Sequence, residues 1–412
     1  MKWNFLTRFV ALMLILVIAA CQPQANNVLP TVMDVGGTDA SDAATATMAT
    51  ALAATNQPPA LPATWTPSPE PTLLASDTPV PTPETQVEGG GHLFYIFNND
   101  SVVRLSADGA SEELILVGTS PADLSLSPDG TLLAYTAEGS GSASEVYVSN
   151  LDGTYTQRIS CLGFSRIVKP TWSPDGKTLV FAGSQLPDGL ISIYSANFAG
   201  SGDCPNGNNQ HLLGQLDQNT VDSFAWNNDG SLIFFASNAI YGINALTGEM
   251  FPPLTQPTGF GPDTSPAHNP HSPQLMYLKT KLDEKTGTKG GTIYQINSAQ
   301  IETPPVKELP GAPLKAQGLR WSLDGRFLAV SGERDVWLQD QQTNTSVQVV
   351  AGANFYPQPV FSPDDSLVAY VDGGATAITI QQIFVVGRDG NNKKQITFHK
   401  EGTISDLNWS AN

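Results

Sequence analysis

Two histidines make the sharpest chemical suggestion in the sequence. His268 and His271 lie three apart in Ala267-His268-Asn269-Pro270-His271, close to Asp263. That grouping would supply about two-thirds of a zinc-type metal site. The recurring Asp-Gly pairs suggest calcium instead, but a calcium loop concentrates its oxygen ligands, as in Asp-x-Asp-x-Asp-Gly. The nearest approach is Asp364-Asp365, and a plain turn accounts for it. Nucleophilic hydrolysis on an α/β-hydrolase scaffold calls for a Gly-x-Ser-x-Gly elbow, and the sequence has none. A phosphate-cradling glycine motif at a strand–helix junction is also missing. These patterns lead us to expect no metal, no cofactor and no catalytic residue.

The elements that carry these residues belong to a repeat. Trp172-Ser173-Pro174-Asp175-Gly176 leads into Leu179-Val180-Phe181. Leu126-Ser127-Pro128-Asp129-Gly130, Trp226-Asn227-Asn228-Asp229-Gly230, Trp321-Ser322-Leu323-Asp324-Gly325 and Phe361-Ser362-Pro363-Asp364-Asp365 are followed by similar apolar runs. Each copy reads as strand, tight turn, strand: Pro presets φ, Asp bonds back to the backbone, and Gly takes a positive φ. Copies about 40–50 residues apart spell a β-propeller. In this register His268 falls on the Trp172 position and His271 on the Asp175 position. The two histidines are then drifted turn residues on opposite sides of one blade turn, not metal ligands.

Six complete units run approximately over 119–161, 166–216, 220–256, 263–311, 316–351 and 356–399. The opening unit, from His92, has three strands and lacks the aromatic-Ser-Pro-Asp-Gly strand. The chain ends on Asp406-Leu407-Asn408-Trp409-Ser410, which is that strand with nothing after it. The expectation is an all-β, seven-bladed propeller closed by pairing of the C-terminal strand with the N-terminal blade. Unit 263–311 is the most degenerate, and its loss would leave six blades.

The repeat, with its later Ile-Tyr segments such as Thr292-Ile293-Tyr294, resembles the WD40-like propeller repeat of TolB-type periplasmic proteins. The same repeat builds the N-terminal propeller of prolyl-oligopeptidase-like enzymes. The resemblance covers most of residues 92–412 and implies the fold. It implies no particular activity, because the matched residues form turn and core. Where TolB-type proteins carry an α/β domain, this chain has a low-complexity stretch, so their partners do not carry over.

The chain has 412 residues and a formal net charge of −18. This balance argues against nucleic acid as a partner. Residues 1–21 read as an export signal: Lys2 and Arg8 are basic, Phe9 to Ala20 are apolar, and the run is too short to span a bilayer comfortably. It ends Ile18-Ala19-Ala20-Cys21, which resembles a bacterial lipobox and implies lipidation of Cys21. Residues 22–90 lack any apolar period and grow Pro-rich, so we expect a disordered stalk ahead of the propeller at 91–412. Its Thr/Pro bias permits O-glycosylation. Cys161 and Cys204 are the remaining cysteines, and export makes a disulfide between them plausible, with two separate buried thiols as the alternative.

A working face is expected where the loops from the fourth strand of one blade to the first of the next gather with the second-to-third connections. Phe164, Arg166, Phe260, Asp263, Phe355, Tyr356, His399 and Lys400 lie in such loops without an evident core role. Aromatics there suit recognition of a peptide, glycan or protein loop, and otherwise would plug the channel or pack between blades. The expected function is that of a monomeric, lipid-anchored binding or scaffolding module of the bacterial cell envelope, at the cell surface or in the periplasm. The competing expectation is a propeller-type lyase or lactonase with a site at the channel.

Overall fold

Period-two alternation in the second strand of each repeat decides the architecture. In His92–Phe97, Leu93 and Tyr95 face one way, Phe94 and Ile96 the other, and all four are buried. A strand buried on both faces needs a neighbouring sheet on each side. Repeated seven times, that requirement closes a ring. The computed structural model describes residues 90–139, 143–197, 210–217, 220–282, 289–302, 304–309, 315–374 and 377–412. All lie in the second of the two units into which the chain divides, Met1–Thr78 and Pro79–Asn412. The expected signal segment with Cys21, the expected stalk up to residue 89, and Cys204 lie outside the described residues.

The fold is a seven-bladed β-propeller of antiparallel sheets, with strands a to d running outward from the channel. Blade 1 is Ile404–Ser410, His92–Phe97, Ser101–Ser106 and Glu112–Val117. Blade 2 is Ala122–Leu126, Leu132–Glu138, Ser144–Asn150 and Thr156–Arg158. Blade 3 is Arg166–Trp172, Thr178–Ser184, Ser192–Asn197 and Gln210–Gln215. Blade 4 has Phe224–Trp226, Leu232–Ser237 and Ala239–Asn244, with an isolated bridge from Ile243 to Met250 at the fourth position. Blade 5 is Asp263–His268, Gln274–Leu282, Lys289–Asn297 and Val306–Glu308. Blade 6 is Gly318–Trp321, Phe327–Ser331, Val336–Asp340 and Thr345–Val350. Blade 7 is Val360–Phe361, Leu367–Gly373, Gln381–Gly387 and Lys394–Gln395. The degenerate unit is therefore a complete four-stranded blade.

Seven apolar clusters fill the interfaces, each drawing on two adjacent blades. The seam between blades 7 and 1 joins Leu93, Tyr95 and Trp409 to Val360, Val371 and Ile383. Closure itself is antiparallel pairing of His92–Phe97 with Ile404–Ser410, with Leu93 opposite Trp409. Trp409 is buried, as Trp172 and Trp226 are in their blades.

Each a–b turn is a small hydrogen-bonded lattice. Ser127, Ser173, Ser322 and Ser362 donate their hydroxyls to the Asp two residues on, at 2.6 Å in every case. The same oxygens accept the N–H groups of Leu132, Thr178, Phe327 and Leu367 at 2.9–3.0 Å. In blade 4 the Asn227 amide oxygen takes that role toward Leu232. Gly176 and its counterparts Gly130, Gly230 and Gly325 adopt a φ near 70°. Blade 7 puts Asp365 there instead, at φ 55°. The Asp365 carboxylate accepts the N–H groups of Leu323 and Asp324 at 2.9 and 2.8 Å, so the strained residue ties blade 7 to blade 6.

The aromatic ahead of each turn stitches blades together. The indole N–H groups of Trp172, Trp226 and Trp321 donate to the carbonyls of Ser125, Thr171 and Ala267 on the preceding inner strand, at 3.0–3.2 Å. His268 fills this position in blade 5 as its register implies. Its ring stacks on Phe234 of blade 4 at 5.7 Å and 3°, and Nε2 lies 2.8 Å from Ser298 Oγ. Burial pulls its pKa down. His271 Nε2 lies 2.8 Å from the Leu323 carbonyl in blade 6. The two imidazoles thus serve separate packing contacts. Among the described residues no group of three or more His, Cys, Asp and Glu side chains is placed to hold a metal ion.

The turn lattice makes a quantitative prediction. Ser173→Ala removes a buried hydroxyl that both donates to Asp175 and accepts the Thr178 N–H, so unfolding free energy should fall by about 1–2 kcal/mol. Ser322→Ala, in a distant blade, should add to it nearly in full. The Ser173 bond, first, and the Lys177 N–H hold the Asp175 carboxyl below the usual range. That contribution is complete above the unfolded carboxylate pKa and is lost as pH falls through the lowered folded value. Chemical denaturation of the single and double variants at neutral pH is the check; an unchanged midpoint in both would remove the lattice as a source of stability.

Candidate binding face and channel

Because every blade runs a to d in the same sense, all d–a loops and b–c connections lie at one end of the ring, and all a–b and c–d turns at the other. The loop end exposes large apolar side chains: Leu186 (67%), Phe260 (43%), Ile378 (63%) and Phe398 (78%), with Leu190 beside them. The turn end exposes Tyr155, Leu246 and Leu323. These three ride on tight turns fixed by Asp and Asn side chains, as at Asn244, whose Oδ1 accepts the Leu246 N–H.

The residues expected on the working face are placed unevenly. Phe260 is exposed, and Arg166, Phe355 and Tyr356 are half-buried. Phe164 is a correction: it is fully buried, edge-on to Phe181 and Tyr194 in the cluster between blades 2 and 3. Asp263 is a second correction. It starts the inner strand of blade 5 with its side chain wholly buried and Lys279 Nζ at 3.7 Å. Burial pushes its carboxyl up, against bonding to Thr255 and the Lys279 charge. His399 is largely buried, with its ring 4.7 Å from that of Phe97. Lys400 is exposed. Cys161 is disulfide-bonded; its expected partner Cys204 lies outside the described residues.

A second group of residues, not singled out from the sequence, lines the inner strands. Blades 1, 2, 3 and 5 shift register midway along strand a. Such bulges re-aim side chains. Asp123, Ser265 and Asp406 sit at these shifts with φ of 52–56°. One carboxylate oxygen of Asp406 accepts the Asp123 N–H at 3.1 Å, and the other accepts Lys169 Nζ at 2.9 Å, so three blades meet on one side chain. Asp222 treats the Ser265 N–H likewise at 3.0 Å. Arg320 occupies a position that is small or neutral in the other blades: Ser125, Thr171, Ala225, Ala267, Val360 and Asn408. It is solvent-exposed, yet the surrounding protein lowers its pKa while the Asp406 charge opposes that shift. A charged residue three or one before the repeat aromatic was the available sequence signal.

A third group forms where the ring closes. Tyr95 donates to Glu112 Oε1 at 2.7 Å, and His399 Nε2 lies 3.3 Å from the Tyr95 hydroxyl and 3.7 Å from Glu112. Burial, then Glu112, pushes the Tyr95 phenol far up, so it remains a donor. An adjoining cleft of about 540 Å³ is lined by Phe97, Asn98, Asp100, Ser101, Glu112 and Leu114.

The Asp123 carboxyl carries the clearest pH signature. Burial raises it, Asp406 adds to the rise, and Lys169 and Thr136 oppose. A raised folded value means that the ionised form costs stability above it, and the cost vanishes as pH falls to the unfolded value of about 4. Asp123→Asn should therefore raise the melting temperature at neutral pH, with the gain shrinking to nothing near pH ~4. Melting curves across that range test this, and a variant less stable than wild type at neutral pH would contradict it.

No family model matches the chain, and no curated protein matches it. Solved structures do. An oligogalacturonate lyase in complex with manganese aligns with a TM-score of 0.56 at 14% identity, over 70% of this chain and 82% of that one. The β-propeller domain of the Trilobed protease from Pyrococcus furiosus aligns at 0.51 and 13% identity, over 75% and 95%. TolB from Acinetobacter baumannii aligns at 0.49 and 14%, over 75% and 78%. At these identities the likeness to the lyase and the protease domain is one of fold: this chain is a β-propeller protein, as its sheets show directly.

Proposed function

We propose that this chain is an exported, lipid-anchored protein of the bacterial envelope whose propeller binds a protein, peptide or glycan at the loop end of the ring. The observation that carries this reading is the set of exposed apolar side chains on that end. Phe260, Ile378 and Phe398 lie on the connections of that end, around a channel whose Asp406 and Asp222 carboxylates are already engaged between blades. Exposed apolar groups rimmed by polar ones are what binding surfaces offer. The anchor rests on Ile18-Ala19-Ala20-Cys21, and acyl chains add about 0.8 kcal/mol per buried methylene. Among the described residues no helix is long and apolar enough to cross a membrane.

One observation favours a second reading, an enzyme acting in the channel. Asp123 and Asp406 are neighbours, and Asp123 is pushed up partly by Asp406. A carboxyl raised by burial and by a neighbouring carboxylate is a recurring acid–base device. The neighbours of similar fold include a lyase and a protease as well as TolB.

Cross-linking in native membranes tests the first reading. Cys21→Ser should move the protein to the soluble exported fraction. The triple variant Phe260→Ala, Ile378→Ala and Phe398→Ala should stay anchored and folded but lose the cross-linked partner. Leu246→Ala with Leu323→Ala, at the turn end, should retain it. A partner kept by the first set and lost by the second would overturn the assignment of the face.

A further inference from the structure

The cleft beside the ring seam has the chemistry of a sugar site with a preference for positive charge. It is walled by Phe97, Asn98, Asp100, Ser101, Glu112 and Leu114. Phe97 presents an aromatic ring, backed by the His399 ring at 4.7 Å. Aromatic faces against the C–H face of a pyranose, with planar amides and carboxylates for its hydroxyls, make a sugar subsite. The volume of about 540 Å³ falls in the range of small-molecule pockets.

The polar groups are partly used, and what is left over defines the ligand. Glu112 Oε1 is taken by the Tyr95 hydroxyl, and Asp100 Oδ2 by Ser101 Oγ at 2.8 Å. Asn98 Oδ1 accepts the Thr403 N–H at 3.0 Å. Among the described residues no further bond engages Glu112 Oε2, Asp100 Oδ1 or the Asn98 amide N–H groups, which leaves them for a ligand. Two carboxylates and one amide donor ask for a ligand rich in donors. Among the described residues the only cationisable side chain recorded against either carboxylate is His399.

The site is also rigid, which separates it from an incidental surface dip. Asn98 and Asn99 take φ of 55° and 52° in the three-residue connection between Phe97 and Ser101, which pair across the hairpin. The Asp100 N–H bonds back to the Phe97 carbonyl at 3.1 Å. From the other side, the Asn98 N–H donates to the Thr403 carbonyl at 3.0 Å. Gly402 approaches so closely that a Cβ there would lie 2.4 Å from the Phe97 ring. The hairpin is thus clamped to the loop that carries His399, and its polar groups are preorganised.

We propose that this cleft binds an amino sugar in a glycan chain, with the ring over Phe97 and its ammonium between Asp100 and Glu112. This rests on the reading of the loop end as the working face, because the Asn98–Asn99 turn and the 397–403 loop lie there. The test concerns the cleft alone, so its failure would leave a partner held by Phe260 and Ile378 untouched.

The probe is a hexamer of β-1,4-linked glucosamine, titrated by calorimetry into the full exported protein in detergent at neutral pH, against its N-acetylated counterpart. Saturable binding of the free amine is expected, with about tenfold weaker binding of the acetylated form, as befits a charge-assisted bond. Asp100→Asn, exposed and isosteric, should weaken the free-amine hexamer about tenfold with an unchanged melting temperature. Glu112→Gln should weaken it similarly, and Glu138→Gln, in the neighbouring cleft between blades 1 and 2, should have no effect. Equal binding of both hexamers, unaltered affinity in Asp100→Asn, or no saturable binding would each overturn the proposal.

Discussion

The antiparallel pairing of Ile404–Ser410 with His92–Phe97 is the constraint on which the rest depends. It joins residues more than three hundred positions apart, so it closes a long loop whose entropic cost the blades between them must offset. In return it removes the exposed edges that an open ring would present. The seam cluster unites strands of blade 7, blade 1 and the terminal segment, including Ile404, Leu407 and Trp409. The indole N–H of Trp409 donates to the Gly90 carbonyl at 2.9 Å, on the lead-in to its own blade, whereas those of Trp172, Trp226 and Trp321 reach the preceding blade. The same closure brings Thr403 to Asn98 and His399 to Tyr95. The seam therefore builds both the fold and the cleft beside it.

Carboxylates in this propeller divide into two populations with opposite signs. Those of the turns, such as Asp175 and Asp229, accept a hydroxyl and backbone N–H groups and are held below their ordinary values. They support the fold at neutral pH and stop doing so in acid. Asp123, Asp263 and Asp365 are pushed up chiefly by burial. They are tolerated because each has work between elements: Asp123 at the channel junction, Asp263 beside Lys279, and Asp365 across blades 6 and 7. Asp365 shows the trade most clearly, since it occupies a position where Gly would be unstrained and uses its side chain as an inter-blade tie.

The ring was legible in the sequence because its determinants are local and repeated. Ser, Asp and Gly at fixed offsets dictate the turn, and the apolar run after it dictates a doubly buried strand. Even the degenerate blade kept its register through His268 and Leu275, as the His268 stack on Phe234 shows. The working face was harder. Phe164 and Phe260 occupy comparable loops, and nothing local says that one turns into the core while the other stays out. Asp263 begins an inner strand, where a carboxylate in sequence looks like a surface residue until Lys279 on the next strand is placed beside it. Asp123, Lys169 and Asp406 meet only through bulges in three different blades, which no spacing along the chain announces. The Tyr95–Glu112–His399 group depends on ring closure, so its members are scattered in sequence by construction.

The most direct test of this account is the thermal unfolding of the full chain against one ending at Thr403. Loss of the closing strand removes a buried indole, worth about 3–5 kcal/mol by itself, from a domain whose total stability is on the order of 5–15 kcal/mol. It also bares the edge of His92–Phe97. We predict a much lower melting temperature together with aggregation. Equal melting temperatures and equal solubility for the two chains would contradict the account, because they would mean that the ring does not depend on its terminal strand.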